Sequence, residues 1–238
     1  MRSLSLLLII CMISCSNQAP SNDEVLDASI NTAKEQTLSY EELKSSILST
    51  RNKINKEYLS ADSIGKDSII KYSQEFLRNI TQEVFTYWYK TQWDFNGITQ
   101  TPQQGKIACG YFVTTVIRDI GFDIPRSKWG QLPSETMIKK LNPEVKKYSN
   151  KSITIVIDYF KNREDGIYVV GMDTHVGFVS KEGKQLKFIH ANYYQPEIGV
   201  MEENLKGNNP LNDASYRVIG QLFQYDMAKK WILNEKYE

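Results

Sequence analysis

Apolar residues recur along this chain in several distinct rhythms. Residues 4–13 are apolar apart from Ser5 and Cys11, a run shorter than the about 20 residues a membrane-spanning helix requires. After a polar stretch over 16–38, Leu43, Ile47, Leu48 and Ile54 return near three- to four-residue spacing and predict a helix over 39–60. A stronger stripe follows, with Ile69, Ile70, Tyr72, Phe76, Leu77, Ile80, Val84, Phe85 and Trp88 predicting a helix over 66–90. Its aromatic residues read as core rather than as a ligand platform.

Residues 93–105 are broken by Asn96-Gly97, Pro102 and Gly105, which is loop chemistry. Phe112, Val113, Val116, Ile117 and Ile120 then form one face of a helix over 107–120, ended by Gly121. Cys109 falls in its first turn. Two more helices are expected between 134 and 163, the first capped by Ser134. The rhythm then shortens to β-rich runs over 166–172, 175–180 and 186–191. Lys181-Glu182-Gly183-Lys184 joins the last two as a hairpin. A strand over 216–223 and a helix over 225–236 close the chain. Helices first and an antiparallel sheet afterward predict an α+β fold.

The amino terminus changes the picture of where this domain works. Met1-Arg2 followed by an apolar run is the layout of an export signal. Ser14-Cys15 resembles a bacterial lipobox, so Cys15 is the expected lipidation site; an ordinary signal peptide cleaved nearby is the alternative. The expected organisation is a signal over 1–15, a polar tether over 16–38, and one domain over 39–238 whose first part, 39–92, is helical. Lys plus Arg (29) balances Asp plus Glu (28), so no polyanionic partner is implied. No P-loop, GxGxxG or basic patch points to a nucleotide or nucleic acid.

Three cysteines and two histidines are the whole stock of such groups. With Cys11 in the removed segment and Cys15 acylated, Cys109 is the one thiol of the mature chain and has no disulfide partner. A buried structural thiol is the bland reading. The chemical one is nucleophilic: a helix N-terminus favours thiolate and offers amide donors for an oxyanion, and an imidazole can relay the proton. His175 and His190 both lie in the predicted hairpin. One Cys and two His could instead hold zinc, although no close ligand pair such as HxxxH or CxxC is present.

In order, Ala108-Cys109-Gly110-Tyr111-Phe112-Val113, continued through Ile124-Pro125-Arg126, then His175-Val176-Gly177-Phe178-Val179, then Phe188-Ile189-His190-Ala191, resemble the signatures of the NlpC/P60 peptidases. The resemblance spans 105–191. It departs from the family at Ala108, where Asp is common, in the length between Cys109 and His175, and in lacking the Pro-Gly-Asp strand entry. It implies a papain-like fold, with a nucleophile helix packed on a small antiparallel sheet and extra helices in front. It further implies Cys109 as nucleophile, His175 as general base and His190 as the group orienting that base, with no cofactor and no metal. Asn192 is the alternative orienting residue. Gln103 stands six residues before Cys109, the spacing of the papain oxyanion glutamine, but it and Gln104 read equally well as polar loop residues. Asp173, Trp93 and Trp129 stay unassigned.

The implied activity is hydrolysis of a peptide or small amide substrate through a thioester. Family and address together favour peptidoglycan peptides at the cell envelope, reached from a lipid anchor in the membrane. A binding lipoprotein that keeps the fold without the chemistry is the alternative.

Overall fold

Ser39 caps the first helix. Its hydroxyl accepts from the Glu42 amide while its own amide donates to Glu42 Oε2 at 2.8 Å, a reciprocal capping box. The computed structural model describes residues 38–238, so the proposed export signal, Cys15 and nearly all of the tether lie outside the described residues. Helix α1 (Tyr40–Ser60) buries Leu43, Ile47 and Ile54, while Leu48 is on its outer face. Helix α2 (Ser63–Trp88), capped by Asp62, buries Ile70, Leu77, Ile80, Val84, Phe85 and Trp88. The Trp88 indole donates to the Tyr40 hydroxyl at 2.8 Å, and that hydroxyl donates to Asp119 at 2.7 Å. Two buried hydrogen bonds thereby tie both helices to helix α3 (Cys109–Asp119). Burial, then the neighbouring Asp119 charge, pushes the Tyr40 phenol far above its usual pKa and keeps it a donor.

The sheet has six strands in the order β3-β8-β4-β5-β6-β7, all paired antiparallel. The anticipated strands are β4 (Gly166–Met172), β5 (Val176–Glu182), β6 (Gln185–Asn192) and β8 (Tyr216–Gln221). Gly183 turns β5 into β6 with φ 53°. Two strands of this sheet exceed expectation: β3 (Val145–Ser149) and β7 (Gly199–Asn204) form its edges. Two-residue strands β1 (Gln92–Trp93) and β2 (Lys106–Ile107) pair in parallel and close the 93–105 loop at its base.

Short helices α4 (Arg126–Trp129), α5 (Ser134–Leu141), α6 (Ile153–Lys161) and α7 (Pro210–Asp213) and a final α8 (Tyr225–Leu233) complete the fold. Ser134 does not cap α5. Pro133 holds the cap position, and the Ser134 hydroxyl donates to the Met172 carbonyl at 3.3 Å. Helix α8 stops before residue 236 because Asn234 takes a left-handed φ of 54°. One sheet face packs Phe178 against Phe85 of α2 and Phe112 of α3, with ring centroids 4.9 and 5.8 Å apart, in a core that also takes in Val169, Ile189 and the buried residues of α1 and α8. The other packs Val170, Val179 and Phe188 against Val156 and Phe160 of α6. The fold is α+β, with an antiparallel sheet between helical layers.

Candidate active site

Strand β2 delivers the chain into α3 through Ala108, whose φ −81° and ψ 157° are extended and whose side chain caps nothing. Cys109 is then the first helical residue, so the amides of the first turn have no carbonyl within the helix to meet. Gly110 follows because there is no room for a side chain: a Cβ there would collide with the Gly130 carbonyl oxygen after α4. The buried residues Phe112, Val113, Val116 and Ile117 anchor the helix. Burial pushes the Cys109 thiol above its usual pKa, and the amides of Val176, Gly110 and Cys109 itself only partly offset that. The Val176 contact places the thiol against the start of β5, beside His175.

His175 stands between β4 and β5, where the Met172 amide donates to its carbonyl at 2.8 Å. The residue is 3 % exposed, and its Nε2 lies 2.9 Å from Nδ1 of the fully buried His190. Gly177 makes that approach possible, since a Cβ there would sit 2.8 Å from the His190 Cβ. On its other side, His190 Nε2 lies 2.6 Å from Glu203 Oε1 on β7. Phe188 stacks on the His190 ring at 4.1 Å, and Tyr193 meets His175 edge-on at 5.1 Å. His175 and His190 are thus brought together, and both His175 and Cys109 line one cleft of about 830 Å³.

The hydrogen-bond chain assigns the tautomers. A carboxylate only accepts, so His190 Nε2 carries its proton toward Glu203. Burial holds His190 below its ordinary pKa despite the opposing pull of Glu203, so the neutral ring has an unprotonated Nδ1. That nitrogen must accept from His175 Nε2–H. His175 is pushed well below its usual pKa by burial, then by the proximity of His190, and so its neutral form keeps the lone pair on Nδ1. Nδ1 is buried and makes no hydrogen bond within the described residues. The relay therefore leaves one imidazole nitrogen without a proton, on a histidine that lines the same cleft as the Cys109 thiol.

The other candidates fall elsewhere. Asn192 accepts from the amides of Tyr194 and Gln195 at 2.8 and 3.3 Å and directs its amino group to Met201 Sδ, so it builds a turn. Gln103 has a left-handed φ of 59°, and its side chain donates to the Tyr87 carbonyl at 3.3 Å. Gln104 is exposed on the loop. Asp173 lies in the cleft wall while accepting from the Ser215 and Tyr216 amides at 2.8 and 3.1 Å. Trp93 lines the cleft and tilts against Tyr193 at 5.8 Å. Trp129 is wholly core.

Glu203 and Tyr193 were not foreseen from the sequence. Glu203 is one of two adjacent acids in an edge strand without apolar alternation; its one sequence signal is its place between the half-buried Met201 and the buried Leu205. Comparison with protein-family models, with curated proteins and with solved structures finds no match for this chain.

Proposed function

We propose that this protein is an exported cysteine hydrolase of papain-like design that cleaves an amide bond through a thioester. The single observation that carries this reading is the relay Glu203–His190–His175, which ends in a buried imidazole nitrogen with no hydrogen bond among the described residues, on a histidine that lines the same cleft as Cys109.

Burial disfavours a lone thiolate, but proton transfer from Cys109 Sγ to His175 Nδ1 creates a thiolate and an imidazolium together, with no change in net charge. Sγ then attacks the substrate carbonyl carbon. The first-turn amides of Cys109 and Gly110 receive the developing oxyanion, where one such donor is worth about 3–4 kcal/mol. The C–N bond breaks as the imidazolium returns its proton to the departing amine. Water, deprotonated by the same nitrogen, hydrolyses the thioester and restores the thiol. Glu203 stabilises the transient positive charge shared by the two rings.

Cys15 serves as a lipid anchor, the polar segment to residue 38 gives reach, and peptidoglycan peptides are the substrates favoured by address and by the NlpC/P60 resemblance. Digestion of purified muropeptides, read by mass spectrometry, tests this. Fragments that have gained one water across an amide are expected with wild type and absent with Cys109→Ala. Muropeptides left intact by enzyme whose Cys109 reacts with iodoacetamide would remove the wall substrate.

A further inference from the structure

The cleft beside Cys109 has an uneven chemistry. Among the described residues, its wall has no Lys, Arg or Glu, and Asp173 is the one carboxylate. Ile98, Tyr111, Leu132 and Met172 give it an apolar lining. Its lip carries two large apolar side chains in water, Phe95 at 79 % and Ile98 at 60 % exposure. Isolated exposed apolar groups need no explanation, but these two line the same cleft as the thiol.

The lip is also held in place. The buried Arg126 donates from Nη2 to the carbonyls of Ile98 and Thr99 at 3.0 and 2.8 Å, and from Nε to Thr115 Oγ1 of α3 at 2.6 Å. Its guanidinium lies over the Tyr111 ring, 4.9 Å from the centroid. The Ala108 amide donates to the Gly97 carbonyl at 2.8 Å, fixing the lip to the residue before the nucleophile. Ordering a lip before a ligand arrives lowers the entropic cost of binding.

The two sides of the scissile bond can be told apart. The departing amine must lie where His175 can protonate it, toward β5. Resting on the reading of Cys109 as nucleophile, we infer that the acyl portion lies against Phe95 and Ile98, and that this wall is an acyl subsite for an uncharged, apolar chain. A substrate bearing a carboxylate there would lose its hydration and find no cation in the wall. Within a wall peptide, this restricts the acyl side to an uncharged residue.

The test is protection of Cys109 against iodoacetamide by linear primary amides, which needs no turnover. From butanamide to octanamide the half-protecting concentration should fall about two- to fourfold per added methylene. Adipamic acid, a six-carbon amide ending in a carboxylate, should protect about tenfold more weakly than hexanamide. Phe95→Ser combined with Ile98→Ser, at exposed positions outside the core, should flatten the length dependence. Protection independent of chain length, or equal protection by adipamic acid and hexanamide, would overturn the acyl subsite. Since the readout is occupancy at the thiol, it stands apart from any failure to find a cleaved amide.

Discussion

Replacing Glu203 by Gln keeps the shape of the relay and removes its direction. A carboxamide can donate to His190 Nε2, which turns Nδ1 into the protonated nitrogen and makes His175 Nε2 the acceptor. His175 Nδ1 would then carry the proton that the mechanism needs it to receive. Turnover of any amide substrate should fall by roughly ten- to a hundredfold, as for other outer partners of a functional imidazole. Because Glu203 pulls the His190 pKa upward, its neutralisation should also move the acid limb of the rate profile to lower pH. An unchanged profile with unchanged turnover would mean that Glu203 is only a surface acid. The same buried imidazoles link folding to pH. His175 has a folded-state pKa well below its unfolded value near 6.5, so below that pH the unfolded chain binds a proton that the native ring refuses. Stability is then fully present above about pH 6.5 and lost as pH falls toward the folded pKa, by up to about 1.4 kcal/mol per unit. Urea denaturation at pH 6.5 and 5.5 should show this loss in wild type and a smaller one in His175→Leu. Equal losses would place the acid sensitivity elsewhere.

At the scale of elements, the first turn of α3 depends on a contact that only glycine permits. Gly110→Ala should push the first turn of α3 off Gly130, costing about 1–3 kcal/mol, as overpacking of a close-packed site does. Activity should drop further than stability, since Cys109 moves with that turn. Thermal melting beside a turnover assay separates the two, and a variant with a wild-type melt and full turnover would show that the turn tolerates the shift. The helices and central strands were legible because their apolar faces repeat cleanly: Phe112, Val113, Val116 and Ile117 along α3, and near-continuous burial along β4 and β5. The edges were not. Strand β3 reads Val-Lys-Lys-Tyr-Ser and pairs only with β8, so it has little apolar signal, and its lysines protect an exposed edge. Strand β7 is the other edge, with Glu202 and Glu203 adjacent. Residue type alone makes Ser134 a cap candidate, while its hydroxyl donates to the β4 carbonyl of Met172.

For the whole molecule, the candidate site joins pieces from four places: the start of α3, the entry to β5, the centre of β6 and the edge strand β7. The first three carry rare residue types, one thiol and two imidazoles, and rarity made them visible in the chain. The fourth uses a common carboxylate on an edge strand, and only the sheet order brings it to His190. The cleft's apolar lip was unreadable for a similar reason, since Phe95 and Ile98 stand in a loop and acquire meaning only from Arg126 and Cys109. The most direct test of the central claim is the pH dependence of Cys109 alkylation by iodoacetamide in wild type and in His175→Ala. Wild type should show a reactive limb near neutrality, where Nδ1 takes the thiol proton. In His175→Ala burial, only partly offset by the neighbouring amides, should move that limb above the range of an ordinary thiol. Matching profiles in the two proteins would contradict the account, and a binding lipoprotein with an inert thiol would take its place.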